Sequence, residues 1–137
     1  MDSMMSVDFA YPLTALVTVF VTFLIFVFSA KVGKLRMQTG IKAPAMVGDE
    51  KFECANRVHC NTIEQAVIFL PVLWLFAIYY NDLYACIAGA LWIIGRIMYA
   101  NGYMNAPEKR SMGFMLGFLV FVGLAIAVLY KAVMAVL

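Results

Sequence analysis

Residues 11–30 read YPLTALVTVFVTFLIFVFSA, 20 residues without an Asp, Glu, Lys, Arg or His among them. Residues 111–130, SMGFMLGFLVFVGLAIAVLY, form a second such stretch near the other end of the chain. About 20 apolar residues in a helix cross a hydrocarbon core of about 30 Å. Lipid offers the backbone no hydrogen-bond partner, so each stretch must close its own N–H and C=O groups as a helix. Two less clean spans, residues 63–80 and 83–103, lie between them and carry charge toward one end. The pattern predicts four transmembrane helices.

Composition points the same way. Of 137 residues, 65% are hydrophobic and 13% charged, whereas a soluble domain of this size is about half apolar and about a quarter charged. The excess must face lipid or a partner subunit. Residues 1–9 contain Asp2 and Asp8 but no basic residue. They lack the positive start of a cleavable signal peptide, so the first helix is expected to stay in the mature protein. Cys54, Cys60 and Cys86 form no CxxC pair. They read as small apolar residues in helices rather than as a disulfide framework or a metal site.

One domain over residues 1–137 is expected, with helices at about 9–36, 50–80, 83–104 and 108–135. The first connection, from about Lys31 to Lys51, contains Gly40, Pro44 and Gly48. Asn81-Asp82 makes the second a tight turn, Asn105-Ala106-Pro107 mark the third, and Pro71 is predicted to kink helix 2. Short connections give an up-down four-helix bundle, an all-α membrane protein. Nine of the ten Lys and Arg residues fall at the end that holds the first and third connections: Lys31, Lys34, Arg36, Lys42, Lys51, Arg57, Arg96, Lys109 and Arg110. Lys131 falls at the other end with Asp2, Asp8 and Asp82. The positive-inside rule then puts both of those connections in the cytoplasm and both termini on the opposite side.

Chemistry gathers at the basic end. Arg57, Asn61 and Glu64 are spaced i, i+4, i+7, which puts them on one helix face. A carboxylate at the edge of the hydrocarbon costs on the order of 3 kcal/mol unless paired or wet, so Glu64 is expected to point into the bundle. The plain alternative is an intrahelical Arg57–Glu64 pair reaching back to the interface. Arg96, Tyr99 and Tyr103 share a face of helix 3, and Arg110 follows at the mouth of helix 4. Taken singly, each tyrosine is an interfacial anchor and Arg110 a positive-inside anchor. Together the stripes converge at one depth. Such a pocket suits a small, multiply charged ligand, with arginines taking carboxylates and Glu64 an ammonium group. Asn61 can serve either. Glutathione fits this chemistry, and a dicarboxylate or a phosphate would also be drawn in.

Three blocks carry a resemblance: Arg57-Val-His-Cys-Asn61-Thr-Ile-Glu64, Gly95-Arg96-Ile-Met-Tyr99-Ala-Asn-Gly-Tyr103 and Glu108-Lys-Arg110-Ser, with Lys31-Val-Gly-Lys-Leu-Arg36 before them. They resemble the membrane-associated proteins in eicosanoid and glutathione metabolism, the MAPEG family, and are closest in wording to its type-3 microsomal glutathione transferases. The resemblance runs from about Lys31 to Gly113. It implies a homotrimer that binds glutathione, as co-substrate, between adjacent subunits near the cytoplasmic surface. By position Arg36, Arg57, His59, Asn61, Glu64, Arg96, Tyr99 and Tyr103 would form the glutathione site, and Arg110 would stabilise the thiolate as the catalytic residue. It implies conjugation of lipophilic electrophiles or reduction of lipid hydroperoxides, in a bacterial inner membrane or an organellar one such as the endoplasmic reticulum. The electrophile would arrive from the lipid between helices 1 and 4 of neighbouring subunits. Neither a metal nor a nucleic acid is among the expected partners.

The sequence also departs from the family pattern. Cys54-Ala55-Asn56 precede Arg57 in place of a commoner Arg-Val-aromatic run, and Gln65 stands where some members have a ligand-touching Tyr. Met37 occupies the place of a second arginine linked to epoxide opening. That change favours general conjugation or peroxide reduction over leukotriene synthesis. Two other classes stay open: a non-catalytic lipid-binding scaffold of the same family, and a small four-helix transporter.

Overall fold

The computed structural model describes residues 10–137. Asp2, Asp8 and the expected helix start at residue 9 lie outside them. Four long helices follow one another: α1 Pro12–Thr39, α2 Glu50–Tyr79, α3 Asp82–Asn105 and α4 Ser111–Val136, with a short 3-10 turn, Pro107–Arg110, leading into α4. All four are long and apolar enough to cross a membrane.

The helix ends follow local chemistry. α1 runs three residues past its expected end, to Thr39, because Gly40 adopts φ 73° and closes the helix with its N–H on the Arg36 carbonyl at 2.9 Å. Lys31, Lys34 and Arg36 therefore sit on α1 rather than in the connection. Asp49 caps α2 by accepting the Phe52 amide at 2.9 Å, and Asn81 caps α3 by accepting that of Tyr84 at 3.1 Å. α2 stays helical through Pro71.

The bundle is built around α2 and α3. Each packs against the other and against both α1 and α4, while α1 and α4 occupy opposite corners. The core on the far side from the basic end is Val21, Phe69, Leu73, Ala85 and Trp92, with the Phe69 and Trp92 rings stacked at 4.6 Å. At that far end Asp82 accepts the backbone amides of Leu13 and Thr14 at 3.0 and 2.8 Å and the Thr14 hydroxyl at 2.7 Å. It thereby caps α1 from the start of α3.

Glycine brings α3 and α4 together. A Cβ on Gly113 would collide with the backbone of Tyr99 and the Gly95 carbonyl, and one on Gly95 would stand 3.0 Å from the Gly117 amide. Close backbone approach through small residues is how helices associate where no hydrophobic force separates protein from lipid. The outward faces of α1 and α4 stay bare, with Phe20, Phe23 and Phe26 on one and Met115, Phe118 and Ile126 on the other all more than 40% exposed. The apolar excess of the sequence lies there.

Candidate functional site

Arg57, Asn61, Tyr99, Tyr103, Arg110, Ser111, Phe114 and Met115 line one open cavity of about 460 Å³ at the basic end. Ligand sites for small molecules span about 300–1,000 Å³, and this cavity falls within that range. Each wall comes from a different helix. α2 supplies Arg57 and Asn61 at i and i+4, α3 supplies Tyr99 and Tyr103 at the same interval, and the 3-10 turn with the start of α4 supplies Arg110 to Met115.

Position on the 3-10 turn is fixed by Gly102, where a Cβ would run into the carbonyl of Lys109. With no side chain in between, the turn lies directly on α3. Arg110 folds back to donate to the Pro107 carbonyl at 2.8 Å, and its guanidinium stands 5.5 Å from the Tyr103 ring centre. Tyr103 meets Tyr99 edge to face at 5.6 Å. The Arg96 guanidinium lies 4.1 Å from the other ring, that of Tyr99. Two touching rings thus stand between two cations, the exposed Arg110 and the buried Arg96.

Arg57 and Glu64 form an ion pair along α2 with contacts of 3.2 and 3.3 Å, and Asn61 donates its amide to the same carboxylate at 3.3 Å. The expectation that Glu64 points into the bundle is corrected: its side chain is 53% exposed and the pair lies on the outer face. The interior at this depth is taken by Arg96, which holds Asn61 at 2.8 Å and Thr62 at 2.9 Å.

Arg96 needs a correction too. Only 1% exposed, it stands behind Asn61 and Tyr99 rather than on the cavity wall. Arg36 lies elsewhere on the chain, donating to the Ala45 carbonyl at 2.8 Å and stacking on Phe52 at 4.7 Å. His59, half-buried on α2, does not line the cavity either. Within one chain the fold therefore gathers Arg57, Asn61, Tyr99, Tyr103 and Arg110, with Glu64 at the edge. Thr62, Ser111 and Phe114 are the polar and apolar neighbours that spacing does not single out. Among the described residues, no three His, Cys, Asp or Glu side chains gather closely enough to hold a metal ion.

Residues 14–130, nearly the whole bundle with this cavity, match the family model described as the MAPEG family. The chain belongs to the MAPEG family. An uncharacterized protein of Synechocystis sp. is 46% identical over 121 residues, covering 85% of this chain and 88% of that one. Human microsomal glutathione S-transferase 2 is 37% identical over 89 residues, 65% of this chain and 60% of the transferase. Bovine leukotriene C4 synthase is 29% identical over 83 residues, 61% of this chain and 55% of the synthase. The match thus spans little more than half the length of these two enzymes. The family expected from the three sequence blocks is borne out, and with it a membrane protein of four apolar helices.

Proposed function

We propose that this MAPEG protein is a membrane glutathione transferase that activates the glutathione thiol as thiolate, conjugates it to lipophilic electrophiles and also reduces lipid hydroperoxides. The observation carrying this reading is the cavity at the basic end, in which two arginines, two tyrosines and an asparagine from three helical elements face one another. The names of the transferase and the synthase among its relatives support it.

Glutathione has two carboxylates, one ammonium group and a thiol. Arg57 can take a carboxylate with paired hydrogen bonds and Glu64 can take the ammonium, both groups being about half exposed and already at the cavity's edge. A free thiol has a pKa of about 8.5, so only a few per cent is ionised near neutral pH. Arg110, a cation lining the same cavity, favours the charged form, the thiol proton passing to solvent through the open cavity. The thiolate then attacks the electrophilic carbon, forming a carbon–sulfur bond as the leaving group departs with its electron pair.

A homotrimer follows from the same reading. Arg36 and His59 do not line the cavity within one chain. A neighbouring copy would bring such residues to it. Positive charge at this end argues for a cytoplasmic site and termini on the opposite side.

The test is glutathione titration of the detergent-solubilised protein, followed through the ultraviolet band of the thiolate, then a conjugation assay with 1-chloro-2,4-dinitrobenzene. A rising thiolate band and a conjugated product are expected. Lipid binding without either result supports the scaffold instead, and glutathione-independent transport in proteoliposomes supports the transporter.

A further inference from the structure

Arg96 is the one charged side chain among the described residues that is fully buried. Burying a guanidinium in a membrane bundle costs several kcal/mol, and an apolar residue of similar size would usually serve the packing as well or better. No ion pair compensates it among the described residues, and its Nε has no hydrogen-bond partner. The groups it does touch belong to the site. Nη2 donates both to the Asn61 carbonyl oxygen and to the Thr62 hydroxyl, and the guanidinium lies against Tyr99.

Donor and acceptor direction gives these contacts a meaning. A guanidinium has donors and no acceptor. The amide of Asn61 must therefore turn its oxygen toward Arg96, and a flipped amide would set its NH2 against the guanidinium. Its Nδ2 is left facing outward, where it donates to Glu64 at 3.3 Å. Thr62 is locked in the same sense. Its hydroxyl proton goes to the Val58 carbonyl at 2.8 Å, leaving a lone pair for Arg96.

We propose that Arg96 and Thr62 are positioning residues: without touching the ligand, they fix Asn61 as a donor at the cavity wall and hold the Tyr99 ring beside it. Asn61 then receives an oxygen of the ligand, a carboxylate or an amide carbonyl, and leaves the ammonium to Glu64. This rests on the glutathione reading above.

Calorimetric titration of the detergent-solubilised full chain with glutathione tests it. Arg96→Met is expected to weaken binding about tenfold, the order of one charge-assisted hydrogen bond. Asn61→Ala should lose a similar factor, and the double variant no more than the worse of the two, because both changes remove the same outward donor. The thiolate band of glutathione that still binds should keep its intensity, since Arg110 is untouched. Thr62→Val should weaken binding by a smaller factor. Wild-type affinity in Arg96→Met, or losses that multiply in the double variant, would overturn the assignment while leaving the transferase reading intact. Should Arg96→Met fail to fold, Thr62→Val combined with Asn61→Ala runs the same cycle: losses that do not multiply support the assignment, and losses that multiply overturn it. Absence of glutathione binding in the wild type sinks the functional reading, and the positioning role goes with it.

Discussion

Arg57 and Glu64, seven residues apart on one face of α2, meet through two nearly equal contacts of 3.2 and 3.3 Å while each side chain stays about half exposed. An exposed ion pair of this kind adds about 0–1 kcal/mol to stability. Its value to the protein lies elsewhere. Arg57→Ala should leave the thermal midpoint of the solubilised bundle nearly unchanged while weakening glutathione binding about ten- to a hundredfold, the range of a hydrogen bond to a charged group. Thermal scans and calorimetric titration of the same preparation would check both halves.

Arg110 lines the same cavity as Arg57, held by the Pro107 carbonyl and by Tyr103. Arg110→Ala removes the cation proposed to stabilise the thiolate but none of the groups proposed for the carboxylates. The thiolate band should fall sharply with glutathione affinity largely kept. Equal thiolate absorbance in wild type and variant would remove Arg110 from its catalytic role.

Gly113 touches the backbone of Tyr99, and no room remains for a methyl group between them. Gly113→Ala must push α4 off α3, and overpacking of this sort costs about 1–3 kcal/mol. Both Tyr99 and Phe114 line the cavity, so activity should fall together with the thermal midpoint. Loss of neither would mean that the two helices can slide past this contact.

Asp82 offers a contrast at the far end. It accepts from the Leu13 amide, the Thr14 amide and the Thr14 hydroxyl, all at 3.0 Å or less. Asp82→Ala should destabilise the bundle by about 1–2 kcal/mol, as loss of a helix cap does. Glutathione affinity measured well below the midpoint should be unchanged, because the cavity lies at the opposite end of all four helices.

Most of the fold is legible in the chain, because charge-free runs of membrane length have few other uses. The helix ends lie within a few residues of their expected places. α1 ends three residues later than expected because Lys31, Lys34 and Arg36 resemble a polar connection, whereas the αL turn at Gly40 is what ends the helix. Among the residues that line the cavity, spacing singles out Arg57, Asn61, Tyr99 and Tyr103, while Arg110 comes from the family resemblance. Spacing does not give the direction of Arg96 and Glu64. Each helix has two faces that spacing cannot rank, and Arg96 takes the inner one because it continues the buried row Ala85, Gly89, Trp92. Thr62 carries a similar signal, falling on the row Val58, Ala66, Phe69, Leu73 where every neighbour is apolar. A polar residue in such a row implies a buried partner.

The bare contact between Gly102 and the turn at Lys109 couples two neighbours that look independent in sequence. Tyr103 follows Gly102 directly, and Arg110 follows Lys109, so both side chains ride on one seam of touching backbone. Any drift of that seam would displace ring and guanidinium as a unit. Changes at Phe114 or Met115 would therefore reshape the cavity wall without moving this corner, whereas a side chain at Gly102 would shift both groups at once.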